Sequence, residues 1–249
     1  DTMAAARPGA ALRPHVKAFK STALATHVRE RGGHRAFCCA TLRELEGMVD
    51  AGLADDLLLA NETLDASRLA SLVARAPRRL TVAVDSDETL AAAAVAASAG
   101  DLAVLIDVNV GLPRCGCPPN EAGRLADAAR AAGIEVRGVM GYEGHVVGNP
   151  DRAWRAEQVA IAMGMLSDAH ALVGGDVVSA GGTGTFDLNT VATEVQAGSY
   201  LLMDTAYARL DLPFSQALFV EATVISVNDD GYAVADPDWI TASRLADIP

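Results

Sequence analysis

The chain has 249 residues, 51% hydrophobic and 21% charged, which is ample for one large α/β domain. Its formal net charge of -12 excludes a surface-wide positive field of the kind that draws nucleic acid or an anionic membrane, so any phosphate must be held locally. No apolar stretch reaches the roughly 18 residues that span a bilayer and no basic-then-apolar leader opens the chain, so a cytoplasmic protein is expected.

Residues 1–11 read as the tail of a helix and lack an initiator methionine, an abrupt opening that suggests an incomplete version of a longer protein. The first strand-like run, 12–18 (LRPHVKA), carries Lys17, and a helix signal, Ser21-Thr22-Ala23-Leu24, follows it. Further β-rich runs occupy 35–40, 55–60, 79–85, 102–109, 134–143, 176–182 and 199–207. Amphipathic, alanine-rich helices are expected between them, at 41–52, 87–99, 120–132 and 151–173 among others, several of them ending at a glycine. Strands that read as continuous Val/Leu/Ile runs belong to a parallel sheet buried on both faces. Eight βα units in this length predict a closed (β/α)8 TIM-type barrel, with a doubly wound open sheet as the competitor.

Beyond Pro213 the pattern changes. Residues 217–227 and 232–236 flank Asn228-Asp229-Asp230-Gly231 and read as an antiparallel hairpin, because Asp-Gly between β-rich runs is a strong turn signal. The expected organisation is therefore a barrel over 1–213 and an incomplete C-terminal β-domain over 214–249. Cys38-Cys39 and Cys115-Gly116-Cys117 lack the spacing of a zinc knuckle, and adjacent strand residues point to opposite faces, so reduced thiols are expected.

In such a barrel the chemistry collects at the carboxyl ends of the strands. Lys17 falls there, where desolvation can lower an amine's pKa and make it a Schiff-base nucleophile; a solvated lysine in the strand-to-helix loop is the other reading. On the same rim stand Arg114, either a surface residue of its Gly-Pro turn or a group that neutralises an anionic oxygen, and Tyr142, for which core packing is an equal reading. His145 is either a general acid or base or a loop hydrogen-bonding residue, and Gly198-Ser199, Asp204 and Tyr207 come from the last unit. Ser179-Ala180-Gly181-Gly182-Thr183-Gly184-Thr185 has the makings of a phosphate cradle: small residues bring backbone N–H groups close, and a helix is expected from Phe186 onward with its positive end toward the anion. His27, His34 and His170 receive no role.

Five motifs in order carry a family resemblance: Arg13-Pro14-His15-Val16-Lys17, Asp107 through Gly116, Gly141-Tyr142-Glu143-Gly144-His145, Ser179 through Thr185, and Gly198-Ser199-Tyr200 with Met203 through Tyr207. Over roughly 10–236 the chain resembles the D-threonine aldolase and D-serine dehydratase group, fold-type III pyridoxal phosphate enzymes related to alanine racemase. The branch with 3-hydroxy-D-aspartate aldolase and low-specificity D-threonine aldolase is the nearest in pattern. The resemblance implies an alanine racemase-like barrel, with pyridoxal 5'-phosphate on Lys17, Arg114 near its phenolic oxygen and Tyr142 beside its ring. It places Gly182, Thr183, Gly198, Ser199 and Tyr207 around the phosphate.

The implied reaction is retro-aldol cleavage of a D-β-hydroxy amino acid to glycine and an aldehyde or glyoxylate. A D-serine-type dehydratase and a non-enzymatic pyridoxal phosphate-binding homeostasis protein are the alternatives. The resemblance also implies a homodimer and a divalent metal (Mn, Mg or Zn) held by a His-x-Cys or His-x-Asp pair in the β-domain. No histidine follows His170, although Trp239 through Arg244 resembles the family's carboxyl-terminal end, so an internal stretch bearing that pair is expected to be missing. Ala40 stands where the branch often has glutamine, which removes a contact near the cofactor.

Overall fold

The computed structural model describes residues 2–76 and 78–236. Its helices are α1 (Thr2–Ala6), α2 (Thr22–Gly32), α3 (Leu42–Asp50), α4 (Ala66–Arg75), α5 (Asp87–Ala97), α6 (Ala122–Ala131) and α7 (Arg152–Val173). Its sheet holds seven parallel strands in sequence order: β1 (Ala36–Cys39), β2 (Asp56–Leu59), β3 (Leu80–Val84), β4 (Leu102–Asp107), β5 (Glu135–Gly141), β6 (Val177–Ala180) and β7 (Glu194–Val195). Parallel neighbours require crossovers, and the helices supply them while covering the outer face. Local chemistry starts several of these helices: Ser21, Thr41, Asp65 and Asp151 accept N–H groups of the first turn of α2, α3, α4 and α7.

The expected runs from 35–40 to 176–182 form β1 to β6. The first and last of the eight do not form strands. In 12–18, Leu12 makes a single parallel bridge to Val195 and His15 one to Cys38. Pro14 cannot donate, the His15 ring accepts the Lys17 N–H, and Val16–Ala18 closes into a 3-10 turn. In 199–207, the Ser199 carbonyl accepts the N–H groups of Leu202 and Met203, so local turns at Ser199–Leu201 and Tyr207–Arg209 replace a ladder. The two-residue β7 takes the seventh place instead.

Alternation along the strands sorts side chains between two layers. Cys38, Leu58, Ala83, Leu105 and Met140, one from each of β1 to β5, pack together inside the curved sheet. Phe37, Cys39, Leu57, Val82, Val104 and Val139 belong to the larger core under the helices. The inner layer also carries charge. Arg13, 1% exposed, donates to Glu194 at 2.8 Å and to Asp56 at 2.9 Å, and Arg137 reaches the same Asp56 at 3.0 Å. Burial acts to lower the Arg13 pKa, but Glu194 and Asp56 outweigh it and keep the guanidinium charged. The Asp56 carboxyl is drawn down to about 2, against its burial, by Arg13 and Arg137. All four cysteines are free thiols.

After the sheet, β8 (Thr223–Val227) and β9 (Ala233–Asp236) form the antiparallel hairpin, with Gly231 at φ 87° in its turn. It is shorter than expected at its start, because β9 offers a partner only from Ala233 to Asp236 and Ala217 instead donates to the Leu202 carbonyl. Both strands are exposed. Residues 237–249, with the Trp239 through Arg244 motif, lie outside the described residues.

Candidate active site

One cleft gathers Lys17, Arg114, Tyr142, Gly182, Thr183, Gly198, Ser199 and Tyr207, drawn from five separate stretches of chain. Lys17 sits in the 3-10 turn after Pro14. Much of the residue is open to solvent at the cleft mouth, while its amine end reaches in over Tyr142, 5.3 Å from the ring centroid. Burial of that end lowers its pKa and the positive charge of Arg114 adds to the effect, against Cys38 and Glu44. His15 lies behind it, 3% exposed, its pKa held well below the ordinary value by burial and by the charge of Lys17. A neutral imidazole whose Nδ1 accepts the Lys17 N–H at 3.4 Å fixes the backbone that presents the amine.

The loop after β6 forms the opposite wall. Thr183 Oγ1 accepts the Tyr200 N–H at 3.0 Å, which ties this loop to the turn at Gly198 and Ser199. Among the described residues, the backbone N–H groups of Thr183 and Ser199 have no acceptor. Behind the loop lies Glu143, 0% exposed, which accepts the Gly181 N–H at 3.2 Å and the Thr185 hydroxyl at 2.7 Å. Burial pushes its carboxyl pKa up, while the bonds from Thr185 and Gly181 favour the charged form. The helix expected from Phe186 onward does not form. Turns run from Thr185 to Asn189, and Asn189 then accepts the N–H groups of Val191 and Ala192, leading the chain straight into β7.

The floor contains residues that the sequence pattern had left unassigned: His15, Ala60, Met140 and Gln196. Ala60 lies two residues beyond inward-facing Leu58, and Met140 two before Tyr142, so strand alternation was the signal that would have found them. Gln196 is anchored from below, its amide donating to Ser179 Oγ at 2.9 Å and accepting from Cys38 at 3.2 Å, while Ser179 donates to Glu194 at 2.7 Å. Burial pushes the Cys38 thiol up to about 12, so it is protonated at neutral pH. Asp107, at the end of β4, is held well above the ordinary carboxylate range by burial and by Glu62 beside it. Asp204 is exposed and caps the Tyr207 turn, accepting its N–H at 2.9 Å, and His145 is exposed against Gly111.

The cleft fits pyridoxal phosphate on three counts: an amine with a depressed pKa, an aromatic wall beside it, and backbone donors without acceptors at the far end. The fit to a divalent metal fails, since among the described residues no group of three or more His, Cys, Asp or Glu side chains could hold one.

A parallel, helix-covered sheet with a cleft lined by Lys17 at the carboxyl ends of its strands is an α/β fold of the kind that builds its sites on that rim. Residues 1–206 match the family model described as "Alanine racemase, N-terminal domain", and the chain belongs to that family. It is 34% identical over 239 residues to a D-threonine aldolase of Arthrobacter sp, covering 88% of this chain and 62% of that protein. Against a 3-hydroxy-D-aspartate aldolase of Paracoccus denitrificans (strain Pd 1222) the identity is 29% over 261 residues, with 95% and 67% covered. The crystal structure of a D-threonine aldolase from Filomicrobium marinum superposes with a TM-score of 0.84 at 33% identity, over 94% of this chain and 67% of that one. The chain thus spans about two thirds of the length of these relatives.

Proposed function

We propose that this chain forms the cofactor-binding part of a pyridoxal phosphate-dependent lyase that cleaves the Cα–Cβ bond of D-β-hydroxy amino acids, giving glycine and an aldehyde or glyoxylate. The observation that carries the reading is the placing of Lys17, with its lowered pKa, against Tyr142 in the cleft that also holds Thr183 and Ser199. The names of the relatives support the choice of substrate class and reaction. Bound pyridoxal phosphate would supply an electron sink for the pair left on Cα when a bond to it breaks.

The protein's own groups have separate tasks in this reading. Lys17, its pKa lowered by burial, would hold the cofactor through its amine, and His15 holds the turn that presents it. Tyr142 covers one side of the ring. Arg114 neutralises the phenolic oxygen, while Thr183, Gly182, Gly198, Ser199 and Tyr207 receive the phosphate. Fixed in this way, the cofactor would leave one orientation open to the substrate, and such positioning is what sets the rate.

The same reading takes the fold as a closed (β/α)8 barrel over 1–213, supported by the bridges of Leu12 and His15 to β7 and β1, with 214–249 belonging to a β-domain. It takes the protein as cytoplasmic and homodimeric; four free thiols suit a reducing compartment. The test is product analysis. Protein loaded with pyridoxal phosphate, with Mn, Mg or Zn added, should convert D-threonine or 3-hydroxy-D-aspartate to glycine and leave the L-isomers. A keto acid with ammonia in place of glycine would replace the aldolase by the dehydratase. Cofactor binding without turnover of any D-β-hydroxy amino acid would leave the homeostasis-type binding protein.

A further inference from the structure

We infer that Glu143 is the positioning residue of the phosphate loop, setting which of its N–H groups are left for an anion; the inference rests on the cofactor reading above. The Glu143 carboxylate takes the Gly181 N–H at 3.2 Å through one oxygen and the Thr185 hydroxyl at 2.7 Å through the other. The Thr185 oxygen in turn accepts the Gly182 N–H at 3.2 Å, and its backbone N–H closes the turn onto the Gly182 carbonyl at 3.2 Å. Two consecutive loop donors are thereby committed inward. The next, on Thr183, has no acceptor among the described residues and lies at the wall of the cleft.

Charge alone would argue against a buried carboxylate behind an anion site, since like charges repel across a low dielectric. Its value is geometric. Its two oxygens accept, and they draw the Gly181 N–H and the Thr185 hydroxyl together from 38 and 42 residues away in sequence. The loop has no slack to reshape itself otherwise. A Cβ on Gly184 would lie 2.4 Å from the Val147 carbonyl, so the loop is packed flush against the segment that follows Glu143. Because Glu143 is also the next residue after Tyr142, one short stretch of chain sets both the aromatic wall and the shape of the phosphate end.

The test compares pyridoxal phosphate with pyridoxal, which lacks the phosphate, by titrating wild type and variants while recording thermal stability. Glu143→Gln replaces one acceptor oxygen by a donor, and Thr185→Val removes the relay hydroxyl at nearly constant shape. Each should weaken pyridoxal phosphate binding by about tenfold or more, the scale of a lost bond to a charged group, with pyridoxal affinity unchanged. Thr185→Ser should restore the wild-type ratio. If Glu143→Gln does not fold, the ratio in Thr185→Val decides alone. Equal losses for both ligands, or full phosphate affinity in a folded variant, overturn the inference. Wild-type protein that binds neither ligand overturns the cofactor reading, and this inference with it.

Discussion

Lys17 and Arg114 bring two cationic groups to one aromatic ring: Nζ lies 5.3 Å and the guanidinium carbon 5.8 Å from the centroid of Tyr142. Each is within the range of a cation–π contact, which favours the charged lysine, while burial of the amine end and the neighbouring guanidinium disfavour it. The net direction is a lowered pKa. Replacing Arg114 by leucine removes a like charge and so raises the Lys17 pKa. The pH at which Lys17 condenses with pyridoxal phosphate should move upward in Arg114→Leu, read from the pH dependence of the absorbance change on mixing. A midpoint that stays or falls would show that Arg114 does not act on the amine.

Lys20 is the alternative nucleophile three residues away. It is exposed, ion-paired with Glu44, and absent from the cleft. Borohydride reduction of the loaded protein should therefore tag Lys17, as read by peptide mass spectrometry. Lys17→Ala should lose both the tag and the yellow colour, and Lys20→Ala should keep both. A tag on Lys20 in the wild type would move the reaction centre to the other side of the turn.

What the sequence made legible, and what it did not, divides along the range of the forces involved. The apolar runs of β1 to β6 and the Ser21 cap of α2 depend on neighbours a few residues apart, and they stand near their expected places. The first and eighth runs carry similar β-forming residues but lose out to partners chosen locally: the His15 ring for Lys17, the Ser199 carbonyl for Leu202 and Met203. The eight candidate residues were singled out because their motifs stand in the order of a known family, and they line one cleft. Glu143 and Gln196 were not, because their roles rest on partners 38 and 158 residues away and on which face of a strand each occupies. The helix expected after Phe186 failed for the opposite reason, a local competitor, since Asn189 takes the N–H groups that a helix would have used.

Arg13 gives a stability prediction that is independent of the cofactor. It lies inside the curved sheet and ties the segment before β1 to β2 and β7 through Asp56 and Glu194. Removing one partner of a buried ion pair leaves the other charge uncompensated, at a cost of about 3–5 kcal/mol. Asp56 keeps a third of its side chain in water, so the loss should fall near the lower end, at about 3 kcal/mol. Urea unfolding of Arg13→Met should show that drop in the midpoint with an unchanged slope. Adding Glu194→Gln should recover part of it, because Glu194 is the charge left without an ionic partner, whereas Asp56 still pairs with Arg137. A loss below about 1 kcal/mol would mean that the network is solvated in solution.

Thr183 joins the two halves of the phosphate end. Its hydroxyl accepts the Tyr200 N–H at 3.0 Å, and the residue is 2% exposed, so no water replaces that acceptor when it is removed. Thr183→Ala should release the turn at Gly198 and Ser199 from the loop and weaken pyridoxal phosphate binding by roughly 1–3 kcal/mol, the range for a bond that organises a charged ligand. Thr183→Ser keeps the oxygen and should bind nearly as the wild type does. Calorimetric titration of apoprotein with the cofactor measures both. The alanine variant should also release bound cofactor faster, since the contacts that close over the phosphate act mainly on dissociation. Unchanged affinity in a folded Thr183→Ala would separate the loop after β6 from the anion and leave the turn at Ser199 to hold the phosphate alone.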